Sequence, residues 1–312
     1  MTAFAFVFPG QGSQSVGMLS AWDGHAAVRD TLAEASDALG EDIARLIAEG
    51  PKETLDLTTN TQPVMLTAAV ANWRAWLAEG GAQPAAVAGH SLGEYSALVA
   101  AGVLTLADAL PLVRFRAQAM QEAVPVGTGG MAAILGLDSA AVIAGCAEAA
   151  AATGEAVEAV NFNDPKQIVI AGTKAGVEKA CEVLKAAGAK RALPLPVSAP
   201  FHSSLMKPAA ERLKEKLAAT AFAAPRIPVV NNIDVAVVTE ADALRDALYR
   251  QAFGPVRWVE TIQALKARGL THVVECGPGK VLAGMAKRIE ADLICGNIFD
   301  PASLAEAKTL LA

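Results

Sequence analysis

The chain has few of the residues that build disulfide scaffolds and metal centres. Its 312 residues include four cysteines and four histidines. The cysteines are scattered, with no C-x-x-C pair and no histidine at ligand spacing, and they are Cys146, Cys181, Cys276 and Cys295. This pattern excludes a disulfide framework and predicts buried thiols in a reducing compartment, with no bound metal.

Basic charge and long apolar runs are also lacking. Lys and Arg number 26 against 32 Asp and Glu, and the resulting net charge of −6 argues against a nucleic-acid binder. No apolar run reaches the roughly 18 residues of a membrane-spanning helix, and the first residues lack the basic region of a secretory signal. We therefore expect a cytoplasmic protein without membrane contact. The 53% hydrophobic content and mean hydropathy of +0.35 indicate a globular chain with extensive burial.

Short apolar strands alternate with helical patterns over most of the chain. The run Phe4–Phe8 is continuous and ends at Pro9-Gly10, which is typical of a central strand in a parallel sheet covered on both faces. Further strands are predicted near 85–88, 227–231, 271–275 and 293–295. Helices are predicted over 28–49, 63–79, 91–101, 105–121 and 207–219. The alternation predicts an α/β fold, a hydrolase-like layered domain with a mostly parallel sheet.

Between residues 128 and 197 the order of the elements changes. Strands are predicted at 130–137, 156–161, 167–171 and 192–197, and helices at 139–152 and 173–187. The order βαββαβ is that of a ferredoxin-like unit, and Asn163-Asp164-Pro165 suits the turn of its central hairpin. We therefore expect a small ferredoxin-like subdomain at 128–197, inserted into a large domain formed by 1–127 and 198–312.

A nucleophile elbow is predicted where an apolar strand gives way to an Ala-rich helix. The segment Gly89-His90-Ser91-Leu92-Gly93 has the G-x-S-x-G spacing of such elbows. Glycines on both sides omit the Cβ atoms that would crowd a sharp turn, so the hydroxyl of Ser91 can project at the start of the helix. The main-chain amide of Leu92 can then point at an oxyanion. An ordinary glycine-flanked turn is the alternative, and the flanking strand and helix favour the nucleophile.

A serine nucleophile needs a base within hydrogen-bond reach. Of the four histidines, His25 lies among polar loop residues and His272 begins an apolar strand. His90 occupies the elbow itself, where its ring should point away from the serine. His202 follows the loop 198–201, by which the chain re-enters the large domain, and we predict it to be the base. A structural loop histidine is the alternative.

A glycine-rich loop follows the first strand, where open α/β sheets bind ligands. Gly10-Gln11-Gly12 does not continue as G-x-G-x-x-G, so it does not predict a dinucleotide site. The loop at 277–281 also departs from the phosphate-loop pattern. The amide of Gln11 could instead supply a second oxyanion donor opposite Leu92, and loss of such a donor typically costs about 3 kcal/mol of transition-state stabilisation.

Helix lengths predict an arginine near the serine. About eleven residues lead from Ser91 up one helix, and about eleven lead from Thr105 back to Arg116 on the next. If these helices are antiparallel, Arg116 returns to the level of the serine, where its guanidinium could bind a substrate carboxylate. Pro111 could kink the second helix, Arg114 is a rival, and a solvated helix face is the alternative.

Five segments jointly resemble the malonyl-CoA:acyl-carrier-protein transacylases of bacterial fatty acid synthesis, and the match spans nearly the whole chain. The segments are Phe8-Pro9-Gly10-Gln11-Gly12-Ser13-Gln14, Gly89-His90-Ser91-Leu92-Gly93-Glu94-Tyr95, Arg116 with Met120-Gln121-Glu122-Ala123-Val124-Pro125, Pro200-Phe201-His202, and Gly277-Pro278-Gly279-Lys280-Val281-Leu282. The resemblance implies Ser91 as the acylated nucleophile, His202 as acid and base, and Arg116 as the clamp on the malonyl carboxylate.

The same resemblance implies roles for further residues. It gives Gln11 and Leu92 as the oxyanion donors and Gln251 as the residue whose carbonyl orients the histidine. Substrate contacts are implied for Gln62, His90 and Asn161.

The implied reaction moves a malonyl group from malonyl-CoA to the phosphopantetheine thiol of an acyl carrier protein by a ping-pong mechanism. No cofactor would be bound permanently, and we expect a monomer. Two alternatives remain open. One is a serine esterase, with His272 as base and Asp234 or Asp242 as third member. The other is a catalytically silent docking module for the carrier protein.

Overall fold

Two β-sheets organise the chain in the computed structural model, which describes residues 2–197 and 199–312. The strands found there are β1 (Phe4–Phe8), β2 (Ala86–Gly89), β3 (Gly129–Leu135), β4 (Val157–Asp164), β5 (Gln167–Thr173), β6 (Arg191–Pro194), β7 (Val229–Val230), β8 (His272–Cys276) and β9 (Ile294–Ile298). One sheet has the order β7-β2-β1-β8-β9 and the other β4-β5-β3-β6.

Helices cover both sheets. Those in the described residues are α1 (Ala26–Leu39), α2 (Ile43–Glu49), α3 (Lys52–Leu55), α4 (Thr58–Ala78), α5 (Gly93–Ala100), α6 (Leu106–Glu122), α7 (Ser139–Thr153), α8 (Lys174–Ala186), α9 (Lys207–Ala219), α10 (Ala241–Phe253), α11 (Trp258–Ala267), α12 (Val281–Ile289) and α13 (Pro301–Leu311). No helix in this part of the chain combines the length and apolar character needed to cross a bilayer.

The five-stranded sheet is parallel throughout, and β1 lies at its centre. Successive side chains of a strand point to opposite faces, which explains why β1 is apolar at every position. Phe6 packs edge-to-face on Trp73 and Trp76 of α4, whereas Val7 joins the cluster of Trp258 on the other face. The predicted α/β architecture with a mostly parallel sheet is confirmed.

The four-stranded sheet is antiparallel, with α7 and α8 packed against it through a separate apolar cluster. Its strand order is that of the predicted ferredoxin-like βαββαβ unit, which is also confirmed. The hairpin turn begins two residues later than predicted, because β4 continues through Asp164 and the chain turns at Pro165 and Lys166. The boundaries proposed at 128–197 and 198–312 remain a prediction, and Ser198 lies outside the described residues.

The helix predicted over 28–49 is in fact two helices, α1 and α2. Gly40 ends α1 in the left-handed conformation with φ of 64°, which a glycine adopts without strain. The helix expected from residue 63 begins at Thr58, so Pro63 lies within α4 rather than at its start. Helices α10 to α13 were not predicted from the sequence. They have nine to thirteen residues each.

Parallel pairing brings the carboxyl ends of β1, β2 and β7 to one edge of the sheet. Phe8 is in register with Gly89, so the Gln11 loop and the elbow leave the sheet side by side. Asn232 follows β7 at the same edge. The antiparallel sheet lies against this edge through β4, where Asn161 forms a bridge to Val256 and the amide of Phe162 donates to the Val256 carbonyl at 3.0 Å.

Candidate active site

The elbow at Ser91 is a strained turn that depends on its two glycines. Ser91 has φ of 52°, a left-handed conformation that side-chain-bearing residues rarely adopt. A Cβ atom on Gly93 would lie 2.0 Å from the carbonyl oxygen of Phe8, and one on Gly89 would lie 1.9 Å from the main chain of Gly93. The close approach of β1, β2 and α5 therefore requires glycine at both positions.

A buried asparagine holds the elbow in place. The Oδ1 atom of Asn232 accepts a hydrogen bond from the amide of Ser91 at 2.7 Å, and its Nδ2 atom donates to the carbonyl of Gly89 at 2.6 Å. These bonds satisfy main-chain groups that the strained turn removes from regular pairing. Sequence reasoning missed Asn232. The available signal was its position just after a short apolar strand of the parallel sheet.

Ser91 and His202 form a hydrogen-bonded pair. The hydroxyl of Ser91 lies 2.7 Å from Nε2 of His202, and Nδ1 of His202 lies 2.9 Å from the main-chain carbonyl of Gln251. Because a carbonyl only accepts, Nδ1 carries the proton and Nε2 is free to accept one from the serine. The histidine is 4% exposed, and this burial, together with the nearby charge of Arg116, lowers its pKa to about 3. The ring is therefore neutral near pH 7, as a base requires.

The other histidines lie away from the hydroxyl of Ser91. His25 precedes α1 and packs against Trp22, and it is only partly exposed. His90 directs Nε2 to Oδ1 of Asn163 at 2.8 Å, and its ring packs on Trp258. Asn163, expected only as a turn residue, thus joins the antiparallel sheet to the elbow.

The arrangement expected for an esterase is not formed. His272 begins β8, at the sheet edge opposite the elbow, and its Nδ1 lies 2.8 Å from the hydroxyl of Thr271. Asp234 pairs with Arg250 at 2.6 Å and Asp242 with Arg245 at 2.9 Å.

Arg116 reaches the serine from the antiparallel helix α6. Its Nη2 atom lies 3.3 Å from Oγ of Ser91 and 3.0 Å from Oε1 of Gln251, and its Nη1 atom lies 2.7 Å from Oε1 of Gln62. Its guanidinium lies 5.5 Å from the ring centroid of Tyr95, at cation-π distance.

The guanidinium of Arg116 is shielded from solvent. Arg116 is 2% exposed, its Nε atom has no partner among the described residues, and burial lowers its pKa from the ordinary value. A buried cation whose hydrogen bonds go to neutral oxygen atoms is suited to an anionic ligand. Arg114 faces Asn60 and Glu41 instead, and Pro111 lies within a continuous α6 that Thr105 caps.

A cavity of about 530 Å³ opens at this point, between the edge of the parallel sheet and the antiparallel sheet. Eight of the nine predicted site residues line it: Gln11, Gln62, His90, Ser91, Leu92, Arg116, Asn161 and His202. The ninth, Gln251, contacts His202 and Arg116 from outside the cavity. Its apolar wall is formed by Met120, Met131, Val169, Leu195, Val197 and Phe201.

Two main-chain amides at the cavity are available to a ligand. In the described part of the chain, the N–H groups of Gln11 and Leu92 make no hydrogen bond to protein atoms, although both residues line the cavity with Ser91. Leu92 precedes the first turn of α5, where free N–H groups favour a negative charge. The site thus combines a hydroxyl with a neutral base, two free amides and a buried cation, which together are the parts of an acyl-transfer site.

Comparison with known proteins agrees with that chemistry. Residues 5–290 match the family described as acyl transferase domain. A relative from Salmonella typhimurium, named malonyl CoA-acyl carrier protein transacylase, is 56% identical and covers 99% of this chain and 100% of its own. The chain belongs to this family of malonyl CoA-acyl carrier protein transacylases.

Solved structures of malonyltransferases are similar to this chain in fold and in sequence. An acyl-carrier-protein S-malonyltransferase from Burkholderia pseudomallei is similar with a TM-score of 0.97 and 69% identity, over 99% of this chain and 100% of that one. A complex described as a type II PKS acyl-carrier protein with its malonyl-transacylase also has a TM-score of 0.97, at 50% identity over 99% of this chain and 100% of that one.

Proposed function

We propose that this chain transfers a malonyl group from malonyl-CoA to the phosphopantetheine thiol of an acyl carrier protein, and that the group rests on Ser91 between the two steps. The observation that carries this proposal is the double contact of one oxygen atom. Oγ of Ser91 lies 2.7 Å from Nε2 of His202 and 3.3 Å from Nη2 of Arg116. A base and a cation at one hydroxyl suit a nucleophile that takes an acyl group bearing its own carboxylate.

In the first half of the reaction, Nε2 of His202 takes the proton of Ser91 as Oγ attacks the thioester carbon. The amides of Gln11 and Leu92 hold the oxyanion of the tetrahedral intermediate. The intermediate collapses with cleavage of the carbon–sulfur bond, and the coenzyme A thiol leaves with the proton from His202. The product is a malonyl ester on Ser91.

In the second half, the phosphopantetheine thiol of the carrier protein reverses these steps. His202 takes the proton of the thiol, the sulfur attacks the ester carbon, and Ser91 leaves with the proton. The hydrogen bond from Nδ1 to the Gln251 carbonyl keeps the ring in one tautomer through both halves. A dyad oriented by a neutral carbonyl suits a thioester, since a thiol is an easier leaving group than an amine.

The choice of acyl group rests on Arg116 in this proposal. The malonyl carboxylate pairs with the guanidinium, which Gln62 and Gln251 hold at the end of the cavity. An acetyl group leaves the buried cation without an anionic partner, which costs several kcal/mol relative to malonyl. Asn161 and His90, in the cavity wall, contact the acyl or pantetheine part of the substrate.

The test follows both products of the transfer. The protein is incubated with malonyl-CoA and a carrier protein bearing phosphopantetheine, and free coenzyme A and malonylated carrier are measured together. We expect equal amounts of each and little free malonate, with no transfer by Ser91→Ala or to carrier protein lacking the prosthetic group. Release of free malonate at the same rate with and without carrier would identify a hydrolase and refute the proposal.

A further inference from the structure

A buried acidic residue beside the site, Glu94, makes no contact with the hydroxyl of Ser91 but connects the parts that do. It lies in the first turn of α5 and is 2% exposed. Its Oε2 atom accepts two hydrogen bonds, from Nε2 of Gln251 at 2.9 Å and from the amide of Asn232 at 3.0 Å. One carboxylate oxygen therefore links α10, which carries Gln251, to the segment that braces the elbow.

The Gln251 side chain has one productive orientation. Its Nε2 atom donates to Glu94 and to the carbonyl of Ser91 at 3.0 Å, and its Oε1 atom accepts from Nη2 of Arg116 at 3.0 Å. The flipped orientation would set the NH2 group against the guanidinium and the oxygen against the carboxylate. An ionised carboxylate only accepts and a guanidinium only donates, so each of these contacts would be lost.

We propose that Glu94 is a positioning residue for acyl-group selection: through Gln251 it holds Arg116 against Ser91, and through Asn232 it holds the elbow that carries Ser91. The inference rests on the proposed function, because it concerns how the guanidinium of Arg116 is positioned to bind the malonyl carboxylate. Burial raises the pKa of Glu94 to about 7, so the carboxylate is ionised in assays run above that pH.

Two further contacts limit the size of the effect. The Ser91 carbonyl and Arg116 themselves favour the same orientation of the Gln251 amide, so loss of Glu94 weakens the arrangement without abolishing it. We expect Glu94→Ala to lower kcat/KM for malonyl transfer roughly 10- to 100-fold, the range for one hydrogen bond to a charged group. Transfer of acetyl, which makes no use of the guanidinium, should fall less, so the malonyl-to-acetyl ratio should drop.

The conservative variant separates positioning from charge. In Glu94→Gln, the amide oxygen can accept from both Asn232 and Gln251, so the ratio should stay within about threefold of the unaltered protein. If Glu94→Ala does not fold, Glu94→Asp takes its place, because a side chain one methylene shorter cannot reach both donors. Glu275→Gln is the matched control: Glu275 lies on β8 of the parallel sheet, is buried as Glu94 is, accepts from the amide of Ala283 at 2.9 Å, and lies outside the cavity.

The experiment measures kcat/KM with malonyl-CoA and with acetyl-CoA for each variant. It also compares Arg116→Ala with the double variant that carries both Arg116→Ala and Glu94→Ala. The proposal predicts a lower ratio in Glu94→Ala, a ratio near normal in Glu94→Gln and Glu275→Gln, and no further change when Arg116 is already absent. A ratio in Glu94→Ala equal to that of the unaltered protein, with only a lower Tm, would overturn it. Failure of the unaltered protein to transfer malonyl, or of Arg116→Ala to change the ratio, would instead refute the proposed function.

Discussion

Replacing Arg116 by alanine should abolish most malonyl transfer and reduce acetyl transfer far less. The guanidinium is 2% exposed, and its hydrogen bonds go to the neutral oxygen atoms of Gln62, Gln251 and Ser91. The malonyl carboxylate would therefore be its charged partner. In Arg116→Ala that carboxylate loses the cation that lies 3.3 Å from Oγ of Ser91.

The magnitude follows from the burial of this pair. Removing one partner of a buried ion pair costs about 3 to 5 kcal/mol, because the other charge is left without compensation. Since about 1.4 kcal/mol corresponds to a factor of ten, kcat/KM for malonyl-CoA should fall roughly 100- to 4,000-fold. For acetyl-CoA the change should be less than about tenfold, because no charge is left unpaired.

The assay compares steady-state transfer from malonyl-CoA and acetyl-CoA to the carrier protein. Arg114→Ala is the matched control, since Arg114 lies on the same helix but faces Asn60 and Glu41 outside the cavity. That variant should leave the malonyl-to-acetyl ratio unchanged. An equal loss on both acyl groups in Arg116→Ala would refute the clamp.

Three further predictions concern buried residues and the elbow. Burial raises the pKa of Glu275 from 4.5 to about 7, so the folded state binds more protons between these pH values and loses stability as pH rises through them. Relative to Glu275→Gln, the free energy of unfolding should fall by about 3 kcal/mol over this pH range, as measured by urea titration at several pH values. An identical pH dependence of the two proteins would contradict this. Gly93→Ala should destabilise the fold by roughly 3 kcal/mol or more, because its Cβ would lie 2.0 Å from the Phe8 carbonyl oxygen. The control Gly284→Ala, whose Cβ meets only a flexible side chain at 3.4 Å, should stabilise α12 by about 1 kcal/mol. Similar unfolding curves for the two variants would argue against the close-packed elbow. Asn232→Ala should slow the burst of coenzyme A release roughly 10- to 100-fold by freeing the turn at Ser91, and an unchanged burst would show that the brace is not needed.

The sequence predicts those parts of the fold and site that depend on local patterns. The continuous apolar run Phe4–Phe8 indicated a central parallel strand, and its side chains indeed pack on both faces of the sheet. The G-x-S-x-G spacing fixed the position of Ser91 in the turn. Helix lengths alone brought Arg116 back to the serine, where the two side chains lie 3.3 Å apart.

Contacts between distant segments could not be predicted in this way. Asn232 and Glu94 are separated by 138 residues, and Gln251 and Ser91 by 160, so no local period relates them. The expectation for Gln251 came from family resemblance. For Asn232 the only signal was its position after a short apolar strand, and no local pattern paired Glu94 with either residue. Packing around the parallel sheet brings these distant residues together, and such contacts of high sequence separation leave no local pattern.

In the proposed reaction, Ser91 carries the malonyl group between donor and acceptor. The most direct measurement is the intact mass of the protein after brief exposure to malonyl-CoA, followed by mapping of the modified peptide. We expect the added mass of one malonyl group on Ser91, absent in Ser91→Ala and lost when carrier protein with its phosphopantetheine thiol is added. An unmodified protein that still transfers malonyl, or an adduct on another residue that is discharged to the carrier, would contradict it.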